Sequence, residues 1–299
     1  MSDILVIGSA NTDMVVKTSR FPEPGETIIG GDFFMFPGGK GANQAVAAAR
    51  LGGKVSFIAK VGDDVFGRQS KEGFLNEQIN IDHLITDPHH PSGVALITVN
   101  AEGENEIVVA SGANAHLTKD DIDQTDTVIA SANIIITQLE IPIETVEHLI
   151  KLSKNLDKKL ILNPAPAQTV KDESLKGLYC ITPNQTEAEI LTGIKVDSAD
   201  QAVAAANHLL EKGVQHVIIT MGDQGSLYKS NSEQFFIKAQ SVKSIDTTAA
   251  GDVYNGALST GLSSGKSWRE AIIFATKAAA ISVTRMGAQA SAPLLKEIA

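Results

Sequence analysis

The chain contains a single cysteine, Cys180, among 299 residues, so no internal disulfide can form. It has no block of basic residues and a formal net charge of −10, which disfavours nucleic acid or an anionic membrane as a partner. No apolar run is long enough to span a bilayer. The apolar run after Met1-Ser2-Asp3 is too short for a signal peptide, so a soluble, cytoplasmic protein is expected. There is no internal repeat and no low-complexity tract. No Cys/His spacing suits zinc, and His89-His90 lies in a proline-bounded loop. What is present is 43% hydrophobic residues, enough for a sizeable core, over a length that suits one large α/β domain or a domain with a small appendage.

Short apolar runs alternate with Ala-rich amphipathic segments. Strands are expected at Ile4–Gly8, Val55–Val61, Ile134–Leu139, Leu160–Asn163, Tyr179–Thr182 and Val217–Met221. Cys180 packs there as a small apolar residue. Helices are expected at Gly41–Leu51, Phe66–Gln78, Ile143–Asn155, Asn184–Leu191, Ala199–Lys212, Gly251–Leu262 and Ser267–Val283. This alternation predicts a mostly parallel central sheet with helices on both faces. Two helix-free stretches break the rhythm. Thr12–Phe36 contains Met14-Val15-Val16 and Thr27-Ile28-Ile29, and Ser92–Ala110 reads as a hairpin turning at Ala101–Glu104. Both fit a small β-sheet that projects from the main body, and its exposed apolar face would need a partner.

The most informative segment is Asp246-Thr247-Thr248-Ala249-Ala250-Gly251-Asp252, between the strand-like Gln240–Ile245 and a small-residue helix. Small residues at a helix N-terminus leave backbone N–H groups bare for an anion. A carboxylate beside that cradle repels a simple anion. It suits a base that takes a proton from a hydroxyl attacking a phosphate. The plain alternative is a strand-to-helix turn built of small residues for packing. A second segment, Pro37-Gly38-Gly39-Lys40-Gly41-Ala42-Asn43-Gln44, opens another Ala-rich helix.

Together these segments match the two signatures of the ribokinase-like family of sugar and nucleoside kinases, which the chain resembles over nearly its whole length. The resemblance implies a three-layer, Rossmann-like α/β fold with a lid sheet from about 12–36 and 92–110. The catalytic core would come from 1–11, 37–91 and 111–299. The lid would cover the sugar and serve as a homodimer interface. The implied reaction is transfer of the γ-phosphoryl of ATP to O5 of D-ribose, giving D-ribose 5-phosphate and ADP, with deoxyribose, fructose or a nucleoside as alternative acceptors. Asp252 would be the base, and the backbone of Ala249, Ala250, Gly251 and Asp252 the anion hole.

On the residues alone, Asp13 can accept two hydrogen bonds from vicinal hydroxyls or simply form a turn after the first strand. By resemblance Asn11, Asp13, Gly39, Lys40, Gly41 and Asn43 hold the sugar, and Lys40 also neutralises phosphate. This is not a Walker A loop, since Gly41 stands where Ser or Thr would coordinate magnesium. Glu140, past a strand edge, either closes on a sugar hydroxyl or is solvated ahead of Pro142. Asn163-Pro164-Ala165-Pro166-Ala167 forms an irregular loop like that of the family.

Asn184-Gln185-Thr186-Glu187 reads as a helix capping box. In the resembled family Asn184 and Glu187 also organise the nucleotide phosphates and Mg2+ through water. Thr220, Gly222 and Gly225 form a turn that the resemblance sets against the nucleotide, with Thr276 near the adenine edge. A K+ site is likewise implied. Asp246 and Thr248 would supply oxygens, Ser282, Arg285 and Gly287 backbone carbonyls, and Ser291 its hydroxyl. The wider family more often has Gly at the place of Ala249.

Two readings from other classes stand beside this one. A non-catalytic sugar or nucleotide sensor would have no need of a base at Asp252. An α/β hydrolase is suggested by Gly261-Leu262-Ser263-Ser264-Gly265, but that match falls at a helix end rather than after a strand. Gly265-Lys266-Ser267 mimics a Walker A ending, yet Thr260 occupies the position of its required glycine.

Overall fold

The computed structural model describes residues 3–298. In chain order the strands are β1 (Ile4–Ile7), β2 (Asn11–Lys17), β3 (Phe33–Gly38), β4 (Val55–Ile58), β5 (Lys60–Gly62), β6 (Ile85–Asp87), β7 (Gly93–Val99), β8 (Asn105–Ala110), β9 (Ile134–Thr137), β10 (Lys159–Leu162), β11 (Cys180–Ile181), β12 (His216–Thr220), β13 (Gly225–Ser230) and β14 (Gln234–Lys238). The longer helices are α1 (Lys40–Arg50), α2 (Val65–Asn76), α3 (Ile143–Asn155), α4 (Gln185–Thr192), α5 (Ala199–Glu211), α6 (Ala250–Ser263) and α7 (Trp268–Ser282). All seven expected helices form, with ends within two residues of expectation.

The main sheet has the order β14-β13-β12-β11-β10-β9-β1-β4. It is parallel from β12 to β4 and antiparallel at β13 and β14. Its centre is buried on both faces, which explains the unbroken apolar runs. In β1, Ile4 and Val6 join the core beneath α1, α6 and α7, whereas Leu5 and Ile7 join the core beneath α3, α4 and α5. The chain turns from one side of β1 to the other between β4 and β9. The carboxyl ends of β1 and β9 therefore bound the kind of crevice where open α/β sheets bind ligands.

A second sheet, β3-β2-β7-β8, stands apart, and its register sets Asp13 opposite Phe36 and Asn11 opposite Gly38. The expected hairpin appears as β7–β8, pairing Val99 with Asn105.

Several expectations fail for identifiable reasons. Val55–Val61 is two strands, because the chain leaves the main sheet at Ala59, whose carbonyl accepts from Ile85 N–H, and β5 pairs with β6 instead. Thr27–Ile29 is irregular, with Ile29 99% exposed; Phe33–Gly38 provides the strand. Gln240–Ile245 is an exposed loop and not a strand. β14 ends the sheet at Lys238, and Ile245 N–H donates to Val283 O at the end of α7. β13 and β14 were not anticipated.

Candidate active site

The carboxyl edge of the parallel strands gathers Ser9 after β1, Gln138 and Glu140 after β9, Asn163 after β10 and Asn184 after β11, with Thr220 ending β12. Three helix N-termini, those of α1, α4 and α6, begin at this edge.

The first turn of α1 is occupied by protein groups. Lys40 N–H donates to Glu140 Oε2 (3.0 Å), Gly41 N–H to Ser9 Oγ (3.3 Å) and Ala42 N–H to Ser9 O (2.9 Å). Ser9 Oγ also donates to Glu140 Oε2 (2.5 Å). Glu140 thus serves as the cap that α1 lacks in its own N-cap residue, and its Oε1 lies 3.9 Å from Lys40 Nζ. Gly39 precedes the helix at φ 88°, a conformation that favours glycine.

The first turn of α6 is free where α1 is not. Its N-cap, Ala249, sits in the left-handed region (φ 58°, ψ 12°). That conformation favours glycine over alanine. Ala250 N–H donates to Thr247 O (3.2 Å), so it is already used. The N–H groups of Gly251 and Asp252 have no acceptor among the described residues. Ala249 N–H likewise has no acceptor among the described residues, so three of the four expected cradle residues, Ala249, Gly251 and Asp252, present free N–H groups.

Asp252 is 5% exposed. Its Oδ2 accepts from Asn43 Nδ2 (3.0 Å) and its Oδ1 from Gln44 Nε2 (2.9 Å). Burial pushes its carboxyl up, and Lys40, Asn43 and Gln44 oppose that. The Asp13 side chain makes no hydrogen bond among the described residues, and its carboxylate lies where a Cβ on Gly38 would stand, 2.3 Å from both oxygens. Burial first, then the charge of Glu140, raises Asp13 to about 6, with Lys40 opposing. Burial also works against the Lys40 ammonium, but Asp252, Glu140, Glu187 and Asp13 together hold it above its ordinary value. One lysine thus faces four carboxylates, a set suited to accepting hydrogen bonds from hydroxyl groups.

Asn11 Oδ1 accepts from Asn114 Nδ2 (2.7 Å), and Asn114 Oδ1 accepts from Ala10 N–H (2.9 Å). This amide fastens β2 where it leaves β1. The root of β7 is fastened by Asp64, which accepts from Ser92 N–H and Ser92 Oγ, both at 2.7 Å. Beneath the small sheet, Asn11, Asn114, Ser111, Glu140 and Gln168 line a cavity of about 440 Å³, within the size range of small-ligand sites. A second cavity of about 520 Å³ lies behind the sheet against α2 and includes none of the four carboxylates.

At the N-terminus of α4, Asn184 and Glu187 form the expected capping box: Asn184 Oδ1 accepts from Glu187 N–H (2.8 Å) and Glu187 Oε2 from Asn184 N–H (2.9 Å). Burial raises the Glu187 carboxyl. Thr220 N–H donates to Pro183 O (3.0 Å), which holds the two loops side by side. Gly222 faces open space, but Gly225 owes its lack of a side chain to packing, since a Cβ there would stand 2.0 Å from Ile237 O of β14. Thr276 donates its hydroxyl to Ile272 O within α7, and no hydrogen bond joins it to the other site residues.

Asp246 joins the two remaining loops. Its Oδ1 accepts from Thr248 N–H and its Oδ2 from Gly287 N–H, both at 2.9 Å. Burial opposes its charge, yet the Thr248 and Gly287 bonds outweigh that and lower its carboxyl. Ser282 O accepts from Arg285 N–H (3.0 Å), Ser291 Oγ donates to Ala288 O (2.8 Å), and the Arg285 guanidinium pairs with Glu297 (2.5 Å). The groups named on these two loops are all oxygens, the donor type that suits a hard monovalent cation.

Sequence reasoning missed Ser9, Gln44, Asn114 and Gln138, and it read Asn163 only as part of a loop. Gln44 was the most accessible of these: it is a large polar residue among Ala42, Ala45, Ala47 and Ala48 on a buried helix. Ser263, the hydrolase decoy, lies at the far end of α6, about 16 Å of helix from Asp252.

The profile of the pfkB family carbohydrate kinases matches residues 1–295. Over 294 residues the chain is 46% identical to a ribokinase of Haemophilus influenzae, covering 98% of this chain and 96% of that protein. It is 39% identical over 297 residues to a deoxyribokinase of Salmonella typhi, covering 99% and 97%. The structure of Arabidopsis thaliana ribokinase complexed with ribose and ATP superposes with a TM-score of 0.94 at 29% identity, over 99% of this chain and 97% of that one. A match of this extent leaves one conclusion: the chain belongs to the pfkB family of carbohydrate kinases.

Proposed function

We propose that the chain phosphorylates D-ribose at O5 with ATP. The observation that carries this reading is the buried Asp252 carboxylate at the same helix N-terminus as the free N–H groups of Ala249, Gly251 and Asp252. Asp252 takes the O5–H proton, O5 attacks the γ-phosphorus, and the bond from that phosphorus to the β–γ bridging oxygen breaks to release ADP. These N–H groups face the charge that develops on the transferring phosphoryl oxygens, so positioning and electrostatics supply most of the acceleration.

Asp13, Asn11 and Asn43 orient the sugar. Glu140 organises Lys40 and the start of α1, and Lys40 offsets phosphate charge. Mg2+ bound with ATP would offset phosphate charge, and Glu187 would hold it through water, because its own carboxylate is committed to Asn184. Asp246, Thr248 and Ser291 with the carbonyls of Ser282, Arg285 and Gly287 would hold K+, which fixes the backbone carrying the cradle. Thr220 and Gly222 lie against the nucleotide in this reading.

The small sheet acts as a lid and as a homodimer interface. Supporting this, Ile107 and Val108 are 53% and 67% exposed on a sheet with no cover. No helix among the described residues is long and apolar enough to cross a membrane. A cytoplasmic setting, where ATP is plentiful, goes with this reading. A 2-deoxyribose acceptor is the second reading, supported by the deoxyribokinase relative, whereas the higher identity to a ribokinase favours ribose.

The test is ADP release from MgATP with D-ribose, 2-deoxy-D-ribose, fructose and nucleosides, run in potassium and then in sodium. Preference for D-ribose with activation by potassium supports the whole reading. Preference for another sugar moves the substrate and keeps the mechanism, and indifference to the cation removes the K+ assignment. Binding of ATP without turnover on any acceptor sinks the kinase reading.

A further inference from the structure

Gln44 lies within the first turns of α1 and has 0% exposure. Its side chain is fully satisfied: Nε2 donates to Asp252 Oδ1 (2.9 Å) and to Asn163 Oδ1 (3.1 Å), while Oε1 accepts from Gln138 Nε2 (2.7 Å). Asn163 and Gln138 hang from the ends of β10 and β9, so Gln44 ties the central sheet to α6. Its backbone is fixed as tightly, because Gly256 of α6 approaches so closely that a Cβ there would stand 2.8 Å from Gln44 O.

The polarity of this chain of amides follows from chemistry. An ionised carboxylate only accepts, so Gln44 must present Nε2 to Asp252. That turns its Oε1 to Gln138, which must then present Nε2, leaving Gln138 Oε1 buried without a partner. An orphaned buried acceptor is costly. It is tolerated here at the end of a chain whose direction is set by the charge of Asp252. Were Asp252 protonated, its O–H would find N–H donors facing both oxygens, Asn43 Nδ2 on one and Gln44 Nε2 on the other.

We propose that Gln44, held in turn by Gln138, is a positioning residue that fixes the orientation of the Asp252 carboxylate and keeps it ionised as the base. The proposal rests on the reading of Asp252 given above. The charges that bear on Asp252 come from four other elements. Lys40 on α1 favours the ionised form. Glu140 after β9, Asp13 on β2 and Glu187 on α4 oppose it. Burial opposes it as well, so the two amides and Lys40 carry the load.

The test compares pH profiles of kcat and kcat/KM, at saturating MgATP with whichever sugar turns over best, for the wild type, Gln44→Met and Gln138→Met. Removing one charge-assisted bond should move the acid limb of Gln44→Met to higher pH by about one unit and lower kcat near pH 7 by about tenfold. The KM for ATP should stay within about twofold, since the amide does not face the nucleotide loops. Gln138→Met should move the limb in the same direction by less. An acid limb that stays in place in both variants, with or without a fall in kcat, overturns the proposal and leaves Gln44 a packing residue.

If Gln44→Met does not fold, Gln138→Met decides on the same criterion. Asp252→Asn separates the two levels of the argument. Near-normal turnover there removes the base itself. A dead Asp252→Asn beside an unmoved limb in the glutamine variants removes only the positioning role.

Discussion

Asp13→Asn should make the free protein more stable at neutral pH while damaging its activity. Asp13 is raised from 3.8 to about 6 by burial and by Glu140. Between those values the folded state holds more protons than the unfolded chain. Its contribution to stability therefore falls as pH rises through the window, and the full penalty is present above about pH 6. At 1.36 kcal/mol per unit, two units amount to about 3 kcal/mol, or about 1.5 kcal/mol if the shift is one unit smaller. Asparagine carries no charge and escapes the penalty.

With an unfolding entropy of about 2.1 cal/mol/K per residue, the gain corresponds to roughly 2–5 °C in Tm for a chain of this size. Calorimetry without sugar or nucleotide checks it. The variant should melt with the wild type near pH 4 and above it at pH 7.5. A variant that melts lower at pH 7.5, or by the same margin at every pH, refutes the reasoning. Sugar kcat/KM should fall in the variant, and in the wild type it should fall as pH drops below about 6.

Asp252→Asn should lower kcat by roughly a hundred- to ten-thousand-fold, the usual range for a general base, with sugar binding by calorimetry largely kept. Ala249 carries a left-handed φ that costs an L-residue about 1–2 kcal/mol. Ala249→Gly should thus raise Tm by about 1 °C after the greater freedom of glycine in the unfolded chain is offset. Ala249→Val should melt below both the wild type and Ala249→Gly and lose turnover; equal melting of all three proteins would refute this. Gly256→Ala places a Cβ 2.7 Å from Ala47 Cβ, and the overpacking should cost about 1–3 kcal/mol and weaken kcat by shifting Asp252 from Gln44. An unchanged Tm would show that α1 and α6 part freely.

The sequence revealed what depends on local pattern. The helices α1 to α7 announce themselves by Ala-rich amphipathic runs, and the Asn184 box by its own spacing. Asp252 was legible because a carboxylate beside bare N–H groups is chemically odd. What stayed hidden depends on partners far along the chain. Gln44 meets Asn163 and Asp252 at separations of 119 and 208 residues, and no local pattern encodes such a meeting. That Glu140 caps α1, 100 residues upstream, was likewise hidden. Gln240–Ile245 has strand-forming residues yet no neighbour to pair with, since β-propensity is decided by packing.

Among the described residues the small sheet is fastened at its base, where Asn114 holds the start of β2 and Asp64 the approach to β7, and it extends from there as a lever. β2 runs for 7 residues, so its far end lies about 20 Å from the root. A rotation of about 15° about that root would carry the tip roughly 5 Å and Asp13 less than about 2 Å. The arm has a mechanical advantage of about three. A given displacement at the tip therefore reaches Asp13 reduced about threefold, and any shift imposed at Asp13 reaches the tip enlarged by the same factor.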